Sequence, residues 1–232
     1  MSTRKADIIA AALGCISAEG IQATTMKKIA KVVGITEPAL YRHYASKEEI
    51  LSALVDRLAE RRKAIFAEAS AATAAASAVP RAAAASAALK AAAAAPAGVG
   101  SAETAAAASA PAAIRAFFSA QTRLLQDEPE MTAILFSEDV FQNYPALSGR
   151  IMEMMDDSRI WLRNELSRGS AHGEFRKPLD AESASFLLLG GFRLLVAQWR
   201  MGGRAFSLPE QGGRFVDSSL ALLLKTHHSV DR

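Results

Sequence analysis

The sequence has very little cysteine and few aromatic residues: Cys15 is the single cysteine of 232 residues, and aromatic side chains make up 6%. One cysteine excludes an internal disulfide framework and is typical of a reducing compartment. The apolar neighbours of Cys15 predict a buried structural thiol. No apolar run reaches the roughly 20 residues of a membrane span, and the start MSTRKADIIAAAL lacks a signal-peptide pattern. These absences predict a soluble cytoplasmic protein that does not enter a membrane.

Motifs of catalysis are also lacking. The sequence contains no GxSxG, no P-loop and no dinucleotide-binding fingerprint. The four histidines are scattered, with no Cys, His and carboxylate spacing that suggests a metal site. Glu138-Asp139 and Asp156-Asp157 are adjacent pairs on predicted helices, so their side chains diverge. We therefore predict no enzyme, no catalytic or metal-ligating residues and no cofactor.

The charge is unevenly distributed. The chain carries a formal net charge of +3, and residues 1–65 hold 11 Lys and Arg against 7 Asp and Glu, so the basic excess lies at the N-terminus. A basic surface of this kind attracts nucleic acid. A solvated basic face is the simpler reading of the charge alone, and the motif described next decides between the two.

The segment 24–49, TTMKKIAKVVGITEPALYRHYASKEE, has the spacing of a helix-turn-helix. Apolar residues at helical spacing lead to Gly34, which can take the left-handed conformation at a helix end. Thr36 can cap the next helix, whose first turn holds Pro38. Ser46 and Glu49 then form a capping box for a further helix. The outward face of the second helix is mostly polar, which suits phosphates and base edges.

This segment closely resembles the DNA-binding head of TetR-family bacterial repressors, and the likeness runs from about Thr3 to Arg62. PALYRHYASKEEIL is its most specific part. The resemblance implies that Thr25 and Lys27 meet the DNA backbone, and that Tyr44 and Lys47 touch or support phosphate. It also implies a recognition helix lined by Thr36, Glu37, Ala39, Tyr41 and His43. The family often has a polar side chain where Ala39 stands, so Ala39 offers only a methyl group to the bases.

Three regions follow from the sequence: a helix-turn-helix domain at 1–65 with its motif at about 25–44, an insertion at 66–113, and a helical regulatory and dimerisation domain at 114–232. Alanine fills 28 of the 47 positions from 67 to 113, with few bulky apolar residues to anchor a helix. Pro80, Pro96 and Pro111 are expected to break this low-complexity segment into pieces. The basic residues from Arg57 to Lys63 are expected to be solvated, with a second phosphate contact as the alternative.

Two strongly apolar helices are predicted at the C-terminus, at about 180–201 and 209–225. FLLLGGFRLLVAQW is apolar nearly all round, so it needs a partner on more than one side. Two such helices from each of two chains form a four-helix bundle, and the family resemblance implies the same homodimer. Together these features predict an all-α fold, with an N-terminal three-helix head and a C-terminal helical body.

The body is rich in large, adaptable side chains, which are typical of accommodating pockets. Each taken singly is better read as core. As a group, and through the family resemblance, they are candidates for a pocket that takes a small apolar ligand: Phe117, Phe118, Met131, Phe136, Phe141, Met152, Met155 and Trp161.

The predicted function is a ligand-released repressor that binds double-stranded DNA at a pseudo-palindromic operator as a homodimer, in the cytoplasm and on the nucleoid. The alternative is a nucleoid-binding or division-control protein with the same head that acts through a protein partner. A third reading, a helical enzyme or carrier with a vestigial head, predicts that Tyr41→Ala and Lys47→Ala leave all activity intact.

Overall fold

The computed structural model describes the backbone of residues 3–91 and 109–225, and the side chains of 3–69 and 109–225. Within these ranges the chain is built of helices, with one isolated backbone bridge between Phe175 and Leu224. The all-α prediction is confirmed. The helices are α1 (Thr3–Ala23), α2 (Met26–Val33), α3 (Glu37–Tyr41), α4 (Lys47–Ala91), α5 (Ala110–Asp127), α6 (Thr132–Leu135), α7 (Glu138–Asn143), α8 (Pro145–Ala171), α9 (Ala181–Met201) and α10 (Leu208–Leu223), with a 3₁₀ turn at Pro129–Met131.

The first three helices and the start of α4 enclose one small core. Helix α1 contributes an apolar stripe that includes Ile8, Ile9 and Ile16, and Leu40 of α3 is fully buried. Among the described residues, α1 is the helix long and apolar enough to cross a membrane by length and composition. Its stripe is buried against its neighbours, as in the first helix of a folded head. The helical geometry of α1 is interrupted at Gly20, which has φ 84°.

Helix α4 corrects one expectation from the sequence. It continues from the head through Pro80 to Ala91, so Pro80 does not end it. Long alanine runs on either side have the highest helix propensity and outweigh the loss of one backbone hydrogen bond. Pro111 does not break a helix either, because it lies in the first turn of α5, where no intrahelical N–H is needed. Pro96 lies outside the described residues. The domain boundaries near residues 65 and 113 stay predictions.

Helix α5 is the centre of the body and packs against α4, α8 and α10. Asp180 and Ser207 cap α9 and α10, because their side chains accept hydrogen bonds from backbone N–H groups of the first turn. Helices α6 and α7 are separate, because Ser137 starts a new helix by accepting from the Val140 N–H. Gly191 lets α10 approach α9 closely, since a Cβ there would lie 2.7 Å from the Phe215 ring.

Candidate nucleic-acid interface

Hydrogen bonds at the helix ends hold α2, the turn and α3 together. The Thr25 hydroxyl accepts from the Lys28 N–H at 3.2 Å, which starts α2. Gly34 has φ 76°, and the Ile35 N–H then donates to the Ala30 carbonyl at 3.0 Å. This is the hydrogen-bond pattern of a Schellman helix end. The Thr36 hydroxyl accepts from the Ala39 N–H and starts α3. The sequence therefore produces two short helices at a fixed angle.

Four of the nine predicted DNA-contacting side chains are exposed on this motif. Thr25, Lys27, Thr36 and Tyr41 are exposed, and Tyr41 keeps 47% of its surface accessible although it is a large aromatic residue. The remaining residues of the predicted recognition surface are partly buried: Glu37, Ala39 and His43. An exposed tyrosine beside hydroxyl and imidazole groups provides both donors and acceptors for base edges.

Tyr44 and Lys47 have structural contacts that the sequence did not reveal. Tyr44 is 4% exposed, and the Lys5 Nζ lies 5.2 Å from the centre of its ring. Burial, followed by repulsion from Glu49, raises the pKa of the Tyr44 hydroxyl. The Lys47 Nζ donates to the Ile21 carbonyl at 3.1 Å and so ties the start of α4 to the end of α1. These contacts favour the supporting role over the phosphate-touching role for both residues.

Two further basic side chains are exposed on the motif. Lys31 lies on α2, and Arg42 directly follows α3. Lys28, by contrast, is held by Glu19 at 2.5 Å and by the Ala23 carbonyl at 2.9 Å. In the sequence all three residues are equally plausible cations for phosphate. The structure distinguishes Lys28, because it is paired with Glu19. Lys31 and Arg42 thus join Lys27 as candidates for phosphate contacts.

The head is joined to the body by ion pairs from α4. Glu128, only 15% exposed in its side chain, accepts from Arg57 at 2.7 Å and also pairs with Arg61. Arg150 of α8 reaches back to Asp56 and Ser52 of α4. The expectation that this end of α4 is solvated holds for Lys63, which is exposed and pairs with Glu60. It also holds for Arg61, which is exposed although it pairs with Glu128. It is wrong for Arg62 and only partly right for Arg57, because body helices fold against α4.

The body contains an apolar cavity of about 370 Å³ between α4, α5, α8 and α9. Three of the predicted pocket residues line it: Phe136, Met152 and Met155. Phe117, Phe118 and Met131 are about 1% exposed and fill the core instead. Trp161 stacks on Phe117 with ring centroids 4.6 Å apart, and Phe141 is partly buried against the core. The sequence missed Phe192, Arg62 and Arg193 as wall residues, since only the folded helices bring them to one place.

No group of three or more His, Cys, Asp or Glu side chains that could hold a metal ion occurs within 3–69 and 109–225. The geometry of the described chain is that of a helix-turn-helix head on a helical body. This combination defines a class of DNA-binding transcription regulators.

Comparison with known proteins agrees with this class. Residues 8–54 match the sequence profile of the bacterial regulatory proteins of the tetR family. The nucleoid occlusion factor SlmA of Haemophilus ducreyi is 36% identical over 56 residues, which are 24% of this chain and 28% of that protein. The similarity to this curated relative therefore spans less than a third of its length.

Solved structures are similar over nearly the whole chain. The fatty acid degradation regulator FadR from Bacillus halodurans has a TM-score of 0.68 at 16% identity, covering 100% of this chain and 99% of that one. FadR from Bacillus subtilis in complex with stearoyl-CoA has a TM-score of 0.66 at 19% identity, covering 93% and 97%. At such identities the likeness shows the fold.

The head is of the TetR type, since residues 8–54 match the profile of that family.

Proposed function

We propose that the chain is a homodimeric repressor that leaves its operator when a small ligand enters the body cavity. The proposal rests on the course of helix α4. Helix α4 begins at Lys47, directly after the helix-turn-helix, and 15 residues later the same helix lines the cavity with Arg62. At 1.5 Å per residue, this rigid connection spans roughly 22 Å. A ligand that moves Arg62 thus acts on the helix that follows directly after the helix-turn-helix.

The proposed DNA contacts are those of the exposed surface of the motif. Thr36, Tyr41 and His43 would face base edges in the major groove, with Glu37 and Ala39 beside them. Thr25 and Lys27 would meet phosphates, and Tyr44 and Lys47 would hold the head in shape. This division follows from exposure, because a side chain needs an accessible polar group to contact DNA.

The proposed dimer uses the outer face of α9 with α10. Leu187, Leu194 and Met201 are 74%, 59% and 77% exposed and recur every seven residues on α9. Leu222 of α10 is 71% exposed. A seven-residue repeat of large apolar side chains forms one stripe along a helix and packs against a partner helix. A two-fold axis through this stripe would make a four-helix bundle and place two heads on one side.

Release would follow from two arrangements of the dimer. In one, the recognition helices are spaced for successive major grooves, about 34 Å apart. In the other, the ligand shifts α4 and the spacing no longer fits. A ligand changes this equilibrium only if it binds one arrangement more tightly. The B. subtilis regulator, which is similar in fold, forms a complex with stearoyl-CoA, and this supports small-ligand binding by a protein of this fold.

The proposal is tested by selecting bound fragments from the DNA of the source genome with purified protein at near-physiological salt. The expected result is an inverted repeat next to a small number of genes, with Tyr41→Ala recovering none of it. Salt-sensitive binding without an enriched sequence would contradict a specific repressor.

A second candidate is a nucleoid-binding or division-control protein in the cytoplasm, acting through a protein partner. The similarity to the nucleoid occlusion factor favours it, although that similarity covers only 24% of this chain. In the same selection, this candidate predicts many sites spread over the chromosome and no dependence of DNA binding on any small molecule.

A further inference from the structure

The walls of the body cavity are mainly apolar, and its polar members are Arg62, Gln121, Asp156, Ser158, Arg159 and Arg193. Leu125 of α5 and Leu189, Phe192 and Val196 of α9 form much of its surface, and Met152 and Phe136 lie nearer the outside. Its volume of about 370 Å³ is at the small end of the range for ligand sites, roughly 300–1,000 Å³. The cavity therefore suits a medium-sized, mainly apolar molecule.

Arg62 introduces a positive charge into this apolar wall without a neutralising partner. Its Nη2 donates to the Met154 carbonyl at 2.5 Å and to the Ser158 hydroxyl, which are both uncharged acceptors. Within the side chains described, no carboxylate oxygen lies within 4 Å of the guanidinium; Asp157 attracts it from farther away. Burial lowers the pKa of Arg62, which reports the cost of desolvating the charge.

A second cation on the cavity wall, Arg193, is exposed. The guanidinium of Arg193 lies 4.6 Å from the centre of the Phe136 ring, and its Nη1 is 3.7 Å from the Met155 sulfur. Neither partner carries a charge. Arg159 is different, since Asp156 and Glu182 both pair with it. Arg62 and Arg193 both contact the 154–158 turn of α8. Asp156 also lines the cavity, but it is paired with Arg159, so the lining carries more arginines than carboxylates.

The geometry points to an amphipathic anion as the ligand: an apolar chain or ring system fills the cavity, and its carboxylate or phosphate pairs with Arg62, with Arg193 as the second cation. This inference rests on the proposed function of the cavity and specifies the ligand class. A planar guanidinium binds both oxyanions through two parallel hydrogen bonds. The anion is either a free carboxylic acid or the phosphate of an acyl ester such as an acyl-CoA.

The same contact supplies a route to the head. Without ligand, Arg62 fastens α4 to α8 through the Met154 carbonyl and the Ser158 hydroxyl. An anion that takes over the guanidinium replaces this α4–α8 tie by a bond to the ligand. The ligand then stabilises the arrangement in which α4 is free to move from α8, which is the differential affinity that release requires.

Calorimetric titration of the full-length protein with decanoate, decanol and decanoyl-CoA tests the ligand class. Decanoate and decanol have the same chain and differ in charge at pH 7.5. We expect decanoate to bind about ten-fold more tightly than decanol or better, the usual effect of a charge-assisted hydrogen bond. Binding of decanoyl-CoA but not decanoate would assign the anion to the phosphates. Equal binding of decanol and decanoate, or binding of none of the three, would overturn the inference.

Three variants locate the anion. Arg62→Gln keeps a donor for Ser158 but removes the charge, so the preference for the anion should fall to within about three-fold of decanol. Arg193→Gln, at an exposed position, should reduce the preference less and provides a second test if Arg62→Gln folds poorly. Lys63→Gln is the matched control on α4, because Lys63 is exposed and pairs with Glu60 outside the cavity. An anion preference unchanged in both arginine variants would refute the assignment.

The ligand class and the DNA-binding function are tested by separate measurements. Ligand binding is measured on the protein without DNA, and DNA binding is measured without ligand. A protein that binds an inverted repeat but takes up none of the three probes remains a DNA-binding regulator with another effector. A protein that binds decanoate through Arg62 but no specific DNA would leave the ligand class standing and remove the repressor.

Discussion

Two glycines of the head, Gly34 and Gly14, provide a matched test of the turn that orients the recognition helix. An added Cβ meets no atom within 4 Å at either position, so substitution by alanine changes only the backbone energetics. Gly34 lies in the turn at φ 76°, whereas Gly14 is an ordinary residue of helix α1. The two substitutions should therefore have opposite effects on stability.

The magnitudes follow from backbone conformation. Left-handed geometry costs an L-residue roughly 1–2 kcal/mol, and alanine recovers about 0.4–1 kcal/mol through the reduced entropy of the unfolded chain. Gly34→Ala should therefore lower the free energy of unfolding by about 1 kcal/mol. Gly14→Ala should raise it by about 0.5–1 kcal/mol, because alanine replaces glycine inside a helix. The two variants should differ by roughly 1.5–2 kcal/mol.

Urea unfolding of the full-length variants, followed by circular dichroism, measures the difference as a shift of midpoint at unchanged slope. In thermal unfolding the same difference corresponds to about 2–4 °C per kcal/mol for a chain of this size. If Gly34→Ala is as stable as Gly14→Ala, the left-handed turn is not the conformation of Gly34. The geometry assigned to the helix-turn-helix would then be wrong.

Four other changes test single contacts. Tyr41→Ala should abolish specific DNA binding without dissociating the dimer; protection of the operator by this variant would remove Tyr41 from the recognition surface. Lys27→Ala should reduce the slope of log binding constant against log salt by roughly 2 per dimer, since each phosphate contact contributes about 0.9. Leu194→Glu should give monomers in analytical ultracentrifugation, because it puts a charge into the proposed apolar seam. Glu128→Gln should cost about 1–2 kcal/mol in urea unfolding, a value reduced for the partial exposure of Arg57 and Arg61.

The head follows from its sequence because its signals are local. The caps at Thr25, Thr36 and Ser46 and the turn at Gly34 each involve residues within a few positions of one another, and the structure has all of them. The capping box differs in one detail, since the Glu49 carboxylate accepts from the Ala45 N–H. Periodicity and capping chemistry suffice where the partners are neighbours in the chain.

The body was predicted less completely because its site is made by contacts between distant residues. Arg62 meets Ser158 across 96 positions, and nothing in either local sequence indicates the pairing. Phe117 and Met152 are both large apolar residues of the body. Phe117 nevertheless lies in the core, whereas Met152 lines the cavity and is 51% exposed. Hydrophobicity predicts that a side chain is covered but not by what. The cavity could therefore be identified only from the folded structure.

In the proposed dimer, the two heads contact two half-sites on the same face of DNA. The most direct measurement compares binding to a selected inverted repeat with binding to the same repeat carrying five extra base pairs between its halves. Five base pairs rotate one half-site by about half a turn. A dimer with two fixed heads should lose at least about ten-fold in affinity for the longer duplex. Equal binding to both duplexes would show that the heads act independently and would contradict the dimeric reading.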